Sequence, residues 1–208
     1  MENMLKTENE IKTELVTNSL EGSFGYNEYR NLVEDHAANK TSTGPTQSEA
    51  LTNYTLLSHT RMKRLDKTVK ISEEIQEKFK NFTGNQTWVV LTESWCGDAA
   101  QSMPAMNKLA DLAPNITFKV VLRDENLELM NAFLTNGSMS IPKLIILDND
   151  NQEVLADWGP RPSTATAMVN DYKKEHGQLT PEFKKDLQVW YNKDKSENII
   201  EDLTQLID

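Results

Sequence analysis

Apolar residues along the chain fall into two rhythms. The run Thr87-Trp88-Val89-Val90-Leu91-Thr92 is short, continuous and rich in β-branched and aromatic residues, the pattern of a buried strand. Ile116 to Leu122 and Lys143 to Leu147 read the same way. Glu153-Val154-Leu155-Ala156 follows the last of these across Asp148-Asn149-Asp150-Asn151, a tetrad of turn formers. Between these runs the spacing becomes helical: Asp98 to Leu112, Leu127 to Leu134, and Ser163 to about Lys174. The order strand–helix–strand–helix–strand–strand–helix predicts an α/β fold. Parallel and antiparallel strands share one central mixed sheet, flanked by helices.

The flanks read as helical. Residues 1 to about 22 are charged, with Leu5, Ile11 and Leu15 loosely spaced, and suggest a short frayed helix or a disordered tail. Asn27 to Ala38 reads as a short helix with Tyr29, Leu32 and Val33 on one side. Gly44-Pro45 marks a turn, and Ser48 can cap a helix running to about Leu65. Leu51, Tyr54, Leu57 and Met62 are its expected buried stripe. Ser72 starts a further helix through Phe79 and Phe82. Pro181 to Asp208 reads as continuing helix, with apolar repeats at Phe183, Leu187, Trp190 and Tyr191, then at Ile199, Ile200, Leu203 and Ile207. The expected parts are a helical extension (1–83), a core (84–176) and a helical tail (177–208), packed as one unit.

Charge and composition narrow the function. The 208 residues carry a formal charge of −10, which disfavours phosphate backbones and anionic membranes as partners. No stretch approaches the roughly 20 apolar residues of a membrane span. The opening residues lack the apolar centre of a secretory signal. One cysteine excludes an internal disulfide, and the expected location is the cytoplasm, where thiols stay reduced. His36, His59 and His176 are scattered, so no metal or other cofactor is expected. No Ser–His–Asp motif or phosphate-cradling glycine loop is present.

The chemistry concentrates in Glu93-Ser94-Trp95-Cys96-Gly97-Asp98-Ala99, which holds the single cysteine where a strand meets a helix. A thiol there faces the first free N–H groups of the helix and the positive end of its dipole, and both favour thiolate. The reading is an activated nucleophile with a pKa below the free-thiol value of about 8.5. Asp98 opposes this, because a carboxylate near the thiol disfavours a second negative charge. It also suits the start of a helix. The plainer alternative is that Cys96 is a small buried hydrophobe.

Trp95-Cys96-Gly97 resembles the opening of the W-C-G-P-C motif of the thioredoxin family. Pro104, eight residues on, matches the proline of that family's active-site helix. Ile141-Pro142 precedes an apolar strand, as does the family's cis-proline, which faces the cysteine. Gly159 matches the glycine of a third loop at the site. The resemblance covers roughly residues 84 to 175 and implies a thioredoxin-like fold. Two departures bear on activity: Asp98 replaces the motif proline, and Ala99 replaces the resolving cysteine. The position of the family's buried acid is Val90, with Glu93 as a partial substitute. Lys40-Thr41…Gly44, Tyr54-Thr55 and Arg61-Met62-Lys63-Arg64-Leu65-Asp66-Lys67 resemble the N-terminal extension of a bacterial thioredoxin-like family.

With one cysteine, any mixed disulfide at Cys96 must be resolved by an external thiol. The expected activity is monothiol thiol–disulfide exchange with a protein or a low-molecular-weight thiol or disulfide. The alternative is a redox-inactive module that binds a protein through the same groove. A cluster carrier of glutaredoxin type is a third reading, and Cys-Gly-Asp-Ala lacks that family's usual pattern. Trp95, Gly97, Asp98, Ala99, Glu93, Ile141, Pro142, Trp158, Gly159 and Arg161 are expected to shape the site or dock a partner. Met139 and Ser140 stand beside them in sequence. Arg161 can hold a substrate carboxylate or form an internal ion pair. Arg61, Lys63, Arg64, Lys67 and Lys70 form a basic cluster that is either a solvated face or a source of positive potential for the thiol or an anionic substrate. Oligomeric state is not legible.

Overall fold

The computed structural model describes residues 6–207. The reading of Leu5 lies outside them. Four strands form one sheet in the order β2-β1-β3-β4. β1 (Gln86–Thr92) lies parallel to β2 (Ile116–Leu122) and antiparallel to β3 (Lys143–Asp148), which pairs antiparallel with β4 (Glu153–Trp158). Every residue of β1 is buried, because helices cover both faces of this central strand. β4 alternates between exposed and half-buried positions, as an edge strand does. The opposite edge, β2, is partly closed by Phe24, which exchanges two 2.8 Å backbone hydrogen bonds with Val120.

Four helices precede the sheet: α1 (Glu8–Ser19), α2 (Tyr26–Asn39), α3 (Glu49–Thr68) and α4 (Glu73–Lys80). α5 (Gly97–Leu112) follows β1, and α6 (Leu127–Ala132) follows β2 after a 3₁₀ turn at Arg123–Glu125. α7 (Ser163–His176), α8 (Pro181–Asp194) and α9 (Glu197–Gln205) end the chain. No helix of the described residues is long and apolar enough to cross a membrane.

Several expectations need correction. Glu8–Ser19 is an ordered helix rather than a frayed segment. Thr7 and Glu10 form a capping box, and Val16 is fully buried where α1 packs on α6, β3 and β4. Val16, with Leu15 and Leu20 packed beside the same core, anchors a helix that lacks a clear apolar stripe. On α3 the buried side is Thr55, Ser58, Met62 and Leu65, while Tyr54 and Leu57 face solvent. The helix turns its small hydroxyl residues inward because it lies close against α5. α4 ends before Phe82, and α6 ends before Leu134. The C-terminal segment is two helices, broken where Lys195 and Ser196 both take positive φ.

The core has two parts. The larger gathers the sheet, α5, the inward faces of α1 to α4, and Ile199, Ile200 and Leu203 of α9. Trp88 meets Phe79 edge to face, with ring centroids 6.1 Å apart. A separate small cluster joins Ala165 and Val169 of α7 to Phe183, Leu187 and Tyr191 of α8. α8 therefore packs its apolar side on α7.

The loop after β4 is fixed by close backbone approach. Gly159 has φ +124°, and a Cβ there would stand 2.2 Å from the Pro142 carbonyl oxygen. No side chain fits. Gly159→Ala should destabilise the fold by at least the roughly 1–3 kcal/mol typical of overpacking, read as a lowered urea midpoint. Val16→Ala should cost about 1–3 kcal/mol by cavity formation. An unchanged midpoint in that variant would mean that α1 is not part of the cooperative fold.

Candidate functional site

Cys96 is the N-cap residue of α5. Its Sγ receives the Ala99 N–H at 3.4 Å and lies 3.3 Å from the Ile141 carbonyl oxygen. The second contact is an S–H donating to a carbonyl, which only the protonated thiol can make. Ile141-Pro142 is cis, and its loop covers the sulfur. Gly159-Pro160 is also cis, and Gly159 abuts the Pro142 carbonyl. Cys96 is 6 % exposed.

Asp98 occupies the first turn of α5, and its carboxylate is held from two distant elements. Arg161 Nη2, from the loop after β4, lies 2.7 Å from Oδ2. The Tyr191 hydroxyl, from α8, donates to Oδ1 at 3.0 Å. Burial pushes the Asp98 pKa up, while Arg161, Tyr191 and Arg61 pull it back. Burial and the Asp98 charge raise the Tyr191 pKa well above its ordinary value.

These contacts overturn the expectation of a resting thiolate. The Cys96 pKa is pushed up to about 12 from an ordinary 9.0. Burial is the largest cause and the Asp98 charge the next; the N–H groups of Ala99 and Asp98 and the Arg161 charge act against them. The helix start is in place, as read from the sequence, but it is outweighed. Arg161 is likewise not free for a substrate, since it is paired with Asp98.

A second polar cluster ties the N-terminal helices to the same corner. Thr43 N donates to Ser94 Oγ at 2.9 Å, and Ser94 N donates to Thr43 Oγ1 at 2.8 Å. Thr55 Oγ1 bonds Ser94 Oγ at 3.0 Å. The Glu93 carboxylate is fully buried and takes the Thr43 hydroxyl and the Asp124 N–H. Its pKa is raised, chiefly by burial. Glu93 thus fastens the 40–47 loop and the start of the 3₁₀ turn to the corner. The Tyr29 hydroxyl donates to the Glu93 carbonyl at 3.1 Å, and Ser58 Oγ donates to that of Cys96 at 3.4 Å.

The remaining candidates separate. Trp95 is half-buried beneath the Arg123 guanidinium, 5.0 Å from its ring centroid. Gly97 lies against Arg61: a Cβ there would be 3.1 Å from Arg61 Nη1. Ala99 is buried. The Trp158 indole donates to Asp202 of α9 at 3.1 Å, so it braces the loop. Met139 is exposed. Of the basic cluster, Lys63, Lys67 and Lys70 face solvent, Arg64 donates to Asn192 of α8 at 3.0 Å, and Arg61 points at the first turn of α5. Sequence reasoning missed Tyr191 as a site residue: its apolar periodicity hid the hydroxyl, and Asp98 lies 93 positions away. It also missed Thr43, Ser94 and Thr55, which carried no local signal. Among the described residues no three His, Cys, Asp or Glu side chains gather as metal ligands.

Comparison with known proteins agrees with this architecture. Two solved structures resemble the chain, each with a TM-score of 0.54 and 17% identity, over 73% of this chain and 84% of the other. One is a protein of unknown function from Pseudomonas aeruginosa, the other an HIV epitope scaffold. At that identity they bear on fold alone. No curated protein matches the chain. A family model described as thioredoxin matches residues 44–173, more than half of the chain, and with the strand order, the Trp-Cys-Gly corner and the Ile141-Pro142 loop this makes the chain a member of the thioredoxin family.

Proposed function

We propose that the protein performs monothiol thiol–disulfide exchange through Cys96, with a resting state in which the thiol is protonated and covered. The supporting observation is the setting of Sγ, between a helix-start N–H and the Ile141 carbonyl beside Pro142. In the exchange, Cys96 loses its proton to solvent and attacks a disulfide RS–SR′. A Cys96–SR bond forms and R′S⁻ leaves. An external thiol then attacks the mixed disulfide, releasing its sulfur partner as a new disulfide and returning Cys96 as a thiol. One disulfide is consumed and one formed, the external thiol takes the place of R′, and Cys96 ends as it began.

Access requires movement, and α8 is suited to supply it. Its apolar side packs on α7, and its hydrogen bonds to the site are polar: Tyr191 to Asp98 and Asn192 from Arg64. Gly177 at one end, and Lys195 and Ser196 at the other, carry positive φ. Parting these bonds, in this reading, bares the Asp98 side of α5, and a shift of the Ile141-Pro142 loop frees the sulfur itself. In this reading residues 1–83, 84–176 and 177–208 act as one unit in a reducing compartment, the cytoplasm.

A second reading, a redox-inactive module that binds a protein partner, is favoured by the raised Cys96 pKa and its burial. The two readings part on one experiment. Incubation with glutathione disulfide, followed by intact mass, should give one glutathionyl adduct that reduced glutathione removes, and none in Cys96→Ser. Native wild-type protein that never forms the adduct sinks the exchange reading and leaves the binding module.

The raised pKa has a definite sign in kinetics. Below a pKa of about 12, the thiolate fraction falls tenfold for each pH unit removed. Iodoacetamide labelling should therefore keep accelerating up to pH 10 without a plateau. A plateau between pH 7 and 8 would contradict the closed state. Asp98→Asn removes the carboxylate charge that raises the Cys96 pKa, so labelling at pH 8 should be several times faster than in wild type.

A further inference from the structure

The site holds more positive charge than its own carboxylate uses. Arg161 and Arg61 both act on Asp98, and only Arg161 makes an ion pair with it. Arg61 is more than half buried on α3, with its Nη1 at the first residue of α5. Among the described residues its guanidinium makes no ion pair and no hydrogen bond. Its neighbours are Asp98, Arg64 and Tyr191, and the Arg64 charge opposes it. One guanidinium charge is therefore left over beside the residue that follows Cys96.

That surplus sits in a chain of net charge −10, whose overall field repels anions. A half-buried arginine without a partner is costly, and an incoming carboxylate offers the charge-assisted, two-pronged bond that it lacks. Nη1 packs closely on the Gly97 backbone, where a Cβ would stand 3.1 Å from it, so the missing side chain is what lets the guanidinium reach the start of α5. Arg161 eases the Cys96 thiol toward its charged form and is already paired with Asp98, which leaves Arg61 as the guanidinium with no ion pair of its own among the described residues.

We propose that Arg61 is the specificity-determining residue of this site, and that it holds the carboxylate of a small thiol or disulfide exchanging with Cys96. The proposal rests on the exchange reading for its substrate and names the class: an anionic, carboxylate-bearing sulfur compound. Arg61 touches substrate and takes no part in bond making.

The test uses the full chain and two alkylating probes of similar size, iodoacetate and iodoacetamide. Both meet the same sulfur, so the ratio of their rates cancels changes in thiol acidity and in access. In wild type the iodoacetate:iodoacetamide ratio should exceed that of the denatured protein. It should fall about ten- to a hundredfold in Arg61→Gln, the size of a lost charge-assisted bond. Arg61→Lys should keep part of the preference. Raising the salt concentration should lower the wild-type ratio, a reading that needs no variant. A wild-type ratio no higher than in the denatured chain, or one unmoved by Arg61→Gln and by salt, overturns the assignment. Loss of glutathione exchange with the ratio still dependent on Arg61 would sink the exchange reading alone. Native protein that neither probe labels overturns both.

Discussion

A carboxylate buried two residues after the chain's single thiol imposes a demand that local structure cannot meet. Removing a charge from water costs several kcal/mol unless it is paired and hydrogen-bonded. Asp98 is met by Arg161 from the loop after β4, by Tyr191 from α8, and at longer range by Arg61 from α3. Each comes from a different part of the chain. The helices before and after the thioredoxin elements are thereby fastened to the same spot as the sheet and α5.

The same arrangement sets the state of the thiol. A helix N-terminus stabilises an adjacent anion by typically 0.3–1 kcal/mol, and about 2 in the best cases. Full burial can move a pKa by up to 3–5 units, at about 1.4 kcal/mol per unit. Burial therefore wins, and the neighbouring carboxylate adds to it. The S–H bond to Ile141 fits the protonated form. A Trp-Cys-Gly corner is thus no guarantee of an acidic thiol, because the sign depends on what covers it.

The elements of the sheet were legible because each strand is a short apolar run bounded by turn residues, and those patterns are local. β2 falls at its expected ends, and Ser48 and Ser72 cap helices as their sequence context implies. The Ile141-Pro142 loop and Gly159 were legible through spacing from Cys96. What failed to show depends on tertiary contact. The buried face of α3 is set by close packing on α5, so small hydroxyl residues point inward and Tyr54 and Leu57 outward. The order of α1 depends on Val16 meeting elements more than a hundred residues away. The break at Lys195 and Ser196 lies in non-glycine residues that seldom take positive φ. Arg161 was equally open to two roles until its partner could be placed.

The N-terminal loop completes the logic of the site. Glu93 and Ser94 immediately precede Trp95, and both are saturated by Thr43, Thr55 and the Asp124 N–H. A fully satisfied buried polar network fixes one geometry, since any shift leaves a desolvated group without a partner. Residues 93 to 96 are therefore held rigidly on the side of α3. On the side of α8, the contacts are a tyrosine hydroxyl and an asparagine, and that helix keeps its own apolar cluster with α7. The asymmetry gives the site one wall held by a dense polar network and one held by a few hydrogen bonds. The thiol, Arg61 and the Ile141-Pro142 loop lie on the heavily bonded side, and α8 meets the site at Asp98 and Arg64.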